Sequence, residues 1–318
     1  MTGRMVIIAE ERAERPHQFD IENTPYKDVC PFCEGNESLT PPETAAFRNA
    51  NSKPNTPGWS VRVVPNKYPA VVSGNVPPCL LDQSFLQSGG KADGIGLHEV
   101  IIDTPRHVLS ISGLTHTEVA DMLGMYRLRL QTLRSDSRWA FVQIFKNVGA
   151  SAGASLPHSH SQLIALPFLP PTAILKSSAD CLWCERLASE IRCGERIVEE
   201  TAHFVVLCPF VSRFAGEIEI YPKQHEADFD RSDTSRLGEL AELLHRTITR
   251  LEKAVFWMKD PLAYNIVLKT KPFGMEREFH WHFSILPSLA RAAGFEWGTG
   301  LHINPISPER AAQRLREA

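Results

Sequence analysis

The sequence of 318 residues contains no apolar run long enough to span a bilayer and no low-complexity segment. Its N-terminal stretch, MTGRMVIIAEER, has an apolar run of only five residues, MVIIA, before charges appear, which is too short for the core of a signal peptide. The net charge of −3 at pH 7 provides no broad basic field for nucleic acid. These absences predict a cytoplasmic protein that binds neither membranes nor nucleic acids, and whose partner is a small molecule.

Seven cysteines are spread through a chain that is 43% hydrophobic and 22% charged, a composition typical of globular proteins. Their odd number and the short apolar run at the N-terminus argue against a disulfide framework. Four of them form two Cys-x-x-Cys pairs, a spacing that suits two corners of a tetrahedral zinc site. The pairs are Cys30 with Cys33 and Cys181 with Cys184, whereas Cys79, Cys193 and Cys208 are interpreted as ordinary thiols.

The order of motifs in the first half of the chain recurs in the second half. The first half contains CPFC, VRVVPNKYPAVV, HEVIIDTPRH, a helical stretch and HSHSQLIALP. The second half contains CLWC, FVVLCPFVSRFA, EIEIYPKQH, a helical stretch and HWHFSILP. This order indicates an internal duplication.

Each half combines short β-rich runs with one long helical pattern. The runs have the length of strands and are bounded by Pro, Gly or charged residues. Thr115 and Glu118 form a capping box ahead of apolar residues at helical spacing, and the second half repeats that spacing from Leu237 to Leu251. We therefore expect an α+β fold with two repeats, each an antiparallel sheet packed by one long helix.

Two segments rich in Pro, Gly and Ser divide this pattern. The proline-rich segment 167–180 predicts a boundary between an N-terminal domain, 1–172, and a C-terminal domain, 173–318. Residues 73–97 are predicted to form a long surface loop.

Each Cys pair is followed, at matched places, by two histidines that complete a set of four metal ligands. Alternatively, the cysteines are buried small hydrophobic residues or a redox pair. The matched spacing favours two structural zinc ions per chain. The predicted ligands are Cys30, Cys33, His107 and His158 in the first half, and Cys181, Cys184, His225 and His280 in the second.

The first His-x-His pair leaves one histidine outside the metal set. Residues i and i+2 of a strand point the same way, so His160 stands beside His158 without being needed as a ligand. A neutral imidazole can attack phosphorus, Gln162 on the same face can donate to a phosphate oxygen, and the backbone of 149–155 can supply further N–H groups. The alternatives are a further metal ligand or a solvated strand face.

A longer motif around these histidines resembles the active-site signature of the galactose-1-phosphate uridylyltransferase family, a branch of the histidine-triad superfamily. ERAERPHQF (with Arg12, Arg15 and Pro16), CPFC, VVPNKYPA, HEVIIDTPRH and AGFEWGTGLHINP also resemble that family, so the resemblance covers nearly the whole chain. It implies two fused histidine-triad-like repeats. The motif N-x-G-x-x-x-G-x-S-x-x-H-x-H-x-Q is formed by Asn147, Gly149, Gly153, Ser155, His158, His160 and Gln162.

The resemblance implies roles for individual residues. His160 is the nucleophile and His158 is a zinc ligand, while Ser155 and Gln162 contact the phosphates. The segment Gly294–Asn304 lies near the sugar and reaches across a homodimer interface. The substrate-binding residues implied in this way are Asn66, Asn147, Gly153, Ser155, Glu296 and Asn304.

Two features depart from the usual uridylyltransferase pattern. The chain has HSHSQ where the best-known members have HPHGQ, and its second half has a Cys pair that they lack. Together with AGFEWGTG, these features resemble the subgroup that contains ADP-glucose phosphorylase. The second half keeps His280 and His282 but continues with Phe283 and Ser284, so we expect it to have kept the metal and lost the chemistry.

The predicted function is transfer of a nucleoside monophosphate from an NDP-hexose to a hexose 1-phosphate through a nucleotidyl-His160 intermediate. The first candidate is UDP-glucose:galactose-1-phosphate uridylyltransferase. Three alternatives stay open, namely ADP-glucose phosphorylase, a hydrolase of dinucleoside polyphosphates, and a zinc-stabilised module that binds nucleotides without catalysis.

Overall fold

The computed structural model describes residues 29–82, 91–173, 181–254, 263–275, 278–289 and 293–318. The family-like Arg12, Arg15 and Pro16 lie outside these residues, and so does half of the predicted interdomain segment, residues 174–180. The domain boundary between residues 172 and 173 therefore stays a prediction. Within the described ranges, no helix is both long and apolar enough to cross a bilayer.

In the part of the chain that the structure describes, ten strands form a single antiparallel sheet. They alternate in sequence with turns and helices, as the β-rich runs of the sequence predict. The strands are β1 (Ala45–Arg48), β2 (Trp59–Pro65), β3 (Leu97–Ile102), β4 (Phe141–Val148), β5 (His160–Leu166), β6 (Ile197–Glu200), β7 (Phe204–Leu207), β8 (Ile218–Pro222), β9 (Tyr264–Lys269) and β10 (His282–Pro287). Their order in the sheet is β1-β2-β3-β5-β4-β9-β10-β8-β7-β6.

Both copies of the duplicated unit lie in this one sheet. Strands β1 to β5 and β6 to β10 follow the same internal order, and the two sets meet where β4 pairs with β9. The sequence predicts a separate sheet in each half, whereas the structure joins the halves edge to edge. Each of these strands would otherwise present a row of unpaired backbone groups, so the pairing removes an exposed edge from both halves.

Two long helices cover one face of the sheet and pack against each other. The first, α2, starts at the predicted capping box, in which Thr115 and Glu118 bond reciprocally. The apolar positions predicted on both long helices are buried, except Leu237 at the start of the second, which is half-buried. The helices are α1 (Pro78–Leu81), α2 (His116–Arg134), α3 (Leu182–Cys193), α4 (Leu237–Ala254), α5 (Gly294–Thr299) and α6 (Pro308–Glu317).

The described parts of the segment 73–97 are mostly irregular, and most of their residues are exposed or half-buried, as expected for a surface loop. Two features interrupt this loop. Residues 78–81 form α1, and Ile95 forms an isolated bridge with Val72. Leu80 and Ile95 are buried, and Leu97 already belongs to β3.

Candidate active site

The first Cys pair meets two histidines that follow β3 and precede β5, respectively, in one cluster. The Sγ atoms of Cys30 and Cys33 lie 3.4 and 3.6 Å from Nδ1 of His158, and Cys33 Sγ lies 3.4 Å from Nδ1 of His107. The four ligand atoms all lie within 4.8 Å of one another. The structure therefore brings together the first predicted metal set.

The second half contains an equivalent cluster of Cys181, Cys184, His225 and His280. Cys184 Sγ lies 3.1 Å from Nδ1 of His225 and 3.3 Å from Nδ1 of His280. All eight predicted ligands thus fall into two sets of two thiols and two imidazoles. Both sets could hold a metal ion.

The geometry of both clusters fits a tetrahedral ion. With metal–sulfur and metal–nitrogen bonds of about 2.3 and 2.0–2.1 Å, a tetrahedron separates sulfur from nitrogen by about 3.6 Å. The ring nitrogens that face away from the clusters form hydrogen bonds with the backbone. Nε2 of His158 lies 2.9 Å from the Thr104 carbonyl, and Nε2 of His280 lies 2.9 Å from the Pro222 carbonyl. A carbonyl only accepts, so Nε2 carries the proton and Nδ1 presents its lone pair to the ion.

Burial disfavours the deprotonated form of the thiols in these clusters when no cation is bound. Burial, together with the neighbouring Cys30, raises the pKa of Cys33 to about 11. Burial and the Cys181 thiol raise the pKa of Cys184 to about 12. A bound cation would supply the positive charge that two adjacent thiolates require.

His160 begins β5, directly beside the first cluster, and is 4% exposed. Its Nδ1 lies 2.7 Å from the backbone carbonyl oxygen of His158. Because that oxygen can only accept, Nδ1 carries the proton and the neutral ring keeps its lone pair on Nε2. Phe32, from the turn of the Cys pair, packs against the ring of His160 with their centroids 5.3 Å apart.

A cavity of about 300 Å³ opens in front of His160. Its walls combine apolar side chains with a few polar groups, as expected for a ligand site. Of the predicted site residues, Asn66, Ser155, His160 and Gln162 line it. The other lining residues include Pro31, Phe32, Leu39, Thr40, Val64, Lys67, Tyr68 and Leu156.

His98 fixes the orientation of Gln162. The Ala70 N–H donates to Nδ1 of His98 at 2.9 Å, so His98 carries its proton on Nε2. That N–H lies 3.0 Å from Oε1 of Gln162, which accepts it. Asn66 Nδ2 lies equally close to Nε2 but is itself a donor, because the Asn66 oxygen accepts from the Tyr68 N–H. The Gln162 amide group is therefore left with its NH₂ as the group to present to a ligand.

Sequence reasoning missed His98, which lies within a β-rich run and has no motif of its own. It pairs across β3 and β5 with Ile164, and its side chain lies on the same face as Gln162. The only signal for His98 in the sequence is that a polar residue shares one strand face with Val100 and Ile102, which follow it at intervals of two.

The two serines of HSHSQ point away from the cavity. Ser159 Oγ donates to Asp103 at 3.0 Å, and Ser161 Oγ donates to the other oxygen of Asp103 at 3.1 Å. Lys146 completes this buried network, with Nζ 2.5 Å from Asp103 and 2.7 Å from Ser159 Oγ. Lys146 and Asp103 are 1% and 0% exposed. The two serines that stand where HPHGQ has Pro and Gly thus belong to this buried network, and neither lines the cavity.

The equivalent histidine of the second half, His282, is enclosed by aromatic rings. It has the same hydrogen bond as His160, from Nδ1 to the carbonyl of His280 at 2.9 Å. Tyr221 stacks on its ring at 4.6 Å, and Phe279 and Trp183 lie at 6.4 and 6.5 Å. Burial lowers the pKa of His282 to about 3. This packing fills the space that the cavity occupies in front of His160.

The remaining predicted residues divide into two groups. Asn147, on β4 beside β5, adjoins Gly153, since a Cβ on Gly153 would lie 4.0 Å from Asn147 Nδ2. Glu296 caps α5 through the Ala293 N–H, and Asn304 donates to the carbonyls of Ser212 and Phe214. Glu296 and Asn304 do not belong to the described lining of the cavity. Their binding role stays a prediction that requires a second copy of the chain.

Comparison with known proteins adds the family to this geometry. Residues 1–170, more than half of the chain, match the family described as galactose-1-phosphate uridyl transferase, N-terminal domain. The chain belongs to the galactose-1-phosphate uridylyltransferase family. Residues 103–318 also match a domain of unknown function, DUF4921.

Three relatives resemble nearly the whole chain. An ADP-glucose phosphorylase of Arabidopsis thaliana is 34% identical, over 100% of this chain and 91% of that protein. A galactose-1-phosphate uridylyltransferase of Thermotoga maritima is 30% identical, over 100% of this chain and 96% of that protein. The crystal structure of an Arabidopsis thaliana ADP-glucose phosphorylase with bound ADP-glucose has a TM-score of 0.75 and 32% identity, covering 93% of this chain and 92% of that chain. The predicted family, fold class and enzyme class are confirmed.

Proposed function

We propose that the chain is a nucleotidylyltransferase that carries a nucleoside monophosphate on His160 between two phosphate-bearing substrates. One observation supports this most strongly. His160 stands at the cavity with Nδ1 bonded to the His158 carbonyl, so that its neutral ring holds a lone pair on Nε2. This is the protonation state that an attacking imidazole needs.

Two displacements follow from this arrangement. Nε2 of His160 attacks the α-phosphorus of an NDP-hexose, a nitrogen–phosphorus bond forms, and the bond from that phosphorus to the bridging oxygen breaks. The hexose 1-phosphate leaves with the electron pair of the broken bond. The phosphate oxygen of an acceptor then attacks the same phosphorus and releases His160. Both nucleophiles already have a lone pair, so neither step requires a general base.

Groups around His160 suit the charge that develops on the phosphorus oxygens. Gln162 presents its NH₂ because His98 occupies its oxygen, and Ser155 lines the same cavity. The hydrogen bond to the His158 carbonyl also stabilises the positive imidazolium of the nucleotidylated ring. Such pre-oriented donors stabilise a transition state more than flexible ones do.

Zinc is the ion that we propose for both metal clusters. Two thiolates and two imidazoles at tetrahedral spacing form a closed structural zinc site, with no position left for substrate. When bound, the ion holds the Cys pairs and their histidines together and supplies folding free energy. In the first half, it also holds the turn that carries Phe32 against His160.

The donor has two candidates that share every step at His160. The first is UDP-glucose with galactose 1-phosphate as acceptor, as in the relatives named galactose-1-phosphate uridylyltransferase. The second is ADP-glucose with inorganic phosphate as acceptor, which is favoured by the 34% identity to an ADP-glucose phosphorylase against 30% for the uridylyltransferase of Thermotoga maritima. Ser159 and Ser161 do not decide between them, because both face away from the cavity.

Incubation with each nucleotide sugar alone tests the proposal. Intact mass spectrometry should find one added nucleoside monophosphate per active chain, and peptide mapping should find it on His160. Galactose 1-phosphate or inorganic phosphate should then remove it and release the new product. No adduct with either donor, despite measurable binding, would favour a non-catalytic module. An adduct removed equally fast by water alone would favour a hydrolase.

The proposal includes a homodimer in the cytoplasm. Exposed apolar side chains cluster in and after α5, which contains the Glu296 predicted to act across an interface. Light scattering of the purified chain measures the oligomeric state. If the chain were a monomer at micromolar concentration and still fully active, the proposal that a second copy contributes to the site would be wrong. The residues in question are Phe295, Trp297, Leu301 and Ile303.

A further inference from the structure

Asn265 joins the two halves of the sheet next to the proposed nucleophile. It lies on β9 directly opposite Asn147 on β4, although the two residues are 118 positions apart in the sequence. Its Nδ2 lies 2.8 Å from Oδ1 of Asn147 and 2.8 Å from the backbone carbonyl oxygen of Ala152. One amide group of the second half thus contacts two parts of the site in the first half.

The carbonyl of Ala152 determines how both amides are oriented. A carbonyl oxygen only accepts, so Asn265 must turn its NH₂ toward it. The second hydrogen of that NH₂ then points at Asn147, whose side-chain oxygen must accept it. Asn147 is left to present its own NH₂ on the side of Gly153, 4.0 Å from where a Cβ on that glycine would lie. The hydrogen bond from Asn265 thus occupies the oxygen of Asn147 and leaves the NH₂ of Asn147 to face another acceptor.

The same part of the second half also supports the loop that follows β4. Gly149 has φ of 82°, and a Cβ there would lie 2.8 Å from the Cβ of Ala263, so only glycine fits beside that residue. Ser288, just after β10, donates to the Ser151 carbonyl at 3.0 Å. Among the described residues, Ala263, Asn265 and Ser288 of the second half thus contact this loop, and Asn265 also donates to the side chain of Asn147.

We infer that Asn265 is a positioning residue for nucleotidyl transfer. It holds Asn147 in the orientation that donates to the transferred phosphate, and it holds the loop 149–153 beside His160. This inference rests on the proposed function, since a phosphate at His160 is what the Asn147 NH₂ would meet. The second half, which has enclosed its own histidine, thus supplies a working part to the site of the first half.

The expected effect is on the rate of transfer. Without Asn265, the Asn147 amide is free to rotate, and the transition state loses one pre-oriented donor. Removal of a single such donor costs about 10²- to 10³-fold in rate in a well-defined site, and loss of its orientation should cost at least about tenfold. The concentration of donor at half-maximal rate should change far less, because the interaction develops mainly in the transition state.

The test compares three single variants of the full chain. Asn265→Ala removes the amide, and Asn265→Asp keeps its shape while replacing both donor hydrogens by an acceptor. Gln143→Ala is the control, since Gln143 on β4 also donates across the seam, to the Leu268 carbonyl at 2.8 Å, without contacting Asn147 or the loop. Single-turnover formation of the His160 adduct should slow at least about tenfold in both Asn265 variants and stay at the wild-type rate in Gln143→Ala.

A double variant separates positioning from general destabilisation. If Asn265 acts through Asn147, then Asn147→Ala with Asn265→Ala should be about as slow as Asn147→Ala alone. Multiplication of the two effects would overturn the inference, and so would a normal rate in Asn265→Asp.

Hydrogen exchange gives a readout that does not depend on catalysis. Amide exchange across residues 149–154 should accelerate in Asn265→Ala and not in Gln143→Ala, because only Asn265 holds the Ala152 carbonyl. Unchanged exchange would overturn the proposed support of the loop. Absence of any adduct in the wild type would instead overturn the proposed function, and with it the catalytic role of Asn265.

Discussion

The protonated Nδ1 of His160 lies 2.7 Å from the carbonyl oxygen of His158, the residue that also belongs to the first metal cluster. The backbone of a proposed metal ligand therefore sets the tautomer of the proposed nucleophile. The two residues stand two positions apart, with His160 at the start of β5 and His158 just before it.

We predict that His160→Ala abolishes adduct formation and transfer while both metal clusters keep their metal, because His160 is not a ligand. His282→Ala is the matched control, since His282 has the same Nδ1 hydrogen bond in the second half. Intact mass and metal analysis measure both effects. Ordinary turnover by His160→Ala would remove the mechanism.

We predict that His98→Ala slows transfer by about tenfold or more, because the Gln162 amide then loses the donor that fixes its orientation. The double variant with Gln162→Ala should be no slower than Gln162→Ala alone. Single-turnover rates measure this coupling. A His98→Ala enzyme with the wild-type rate would show that Gln162 needs no such support.

We predict about two zinc ions per chain, one for each cluster. Cys30→Ser and Cys181→Ser should each lose one ion and lower the thermal unfolding temperature, because metal-binding free energy is folding free energy. Only Cys30→Ser should also slow transfer in protein that is still folded, since Phe32 of that turn packs on His160. Elemental analysis, thermal unfolding and rates of adduct formation separate these effects. Finding one zinc ion per wild-type chain would contradict the prediction for one of the two clusters.

We predict that Lys146→Met lowers the free energy of unfolding by about 3–5 kcal/mol, because it leaves the charge of Asp103 buried without its partner. Replacing both residues by apolar ones should restore part of this loss. Arg138→Met is a control that breaks an exposed ion pair with Asp136 and should barely move the denaturation midpoint. Urea unfolding at constant slope measures these changes, and equal shifts for the two single variants would contradict the prediction.

The sequence predicted the elements and the two clusters of Cys and His residues because both leave local, repeated signals. Cys-x-x-Cys and His-x-His recur in the same order, and one copy supports the interpretation of the other. The capping box of Thr115 and Glu118 is equally local. The joining of the two sheets left no such signal, because it depends on which strands become edges after each half has folded.

Residues that act through a neighbour were harder to predict. Asn265 and His98 acquire their roles only from partners on other strands. Ser159 and Ser161 were interpreted as evidence about the substrate, although the period of two that aligns His158 with His160 already places both serines on the opposite face.

The pairing of β4 with β9 has a consequence for synthesis on the ribosome. Asn147 is translated 118 residues before Asn265, which corresponds to roughly 6–24 s at about 5–20 residues per second. During this interval β4 is an unpaired edge and the loop beside His160 lacks its partner. The nascent first half therefore has to avoid edge-to-edge association, and it becomes a competent enzyme only when β9 has left the exit tunnel.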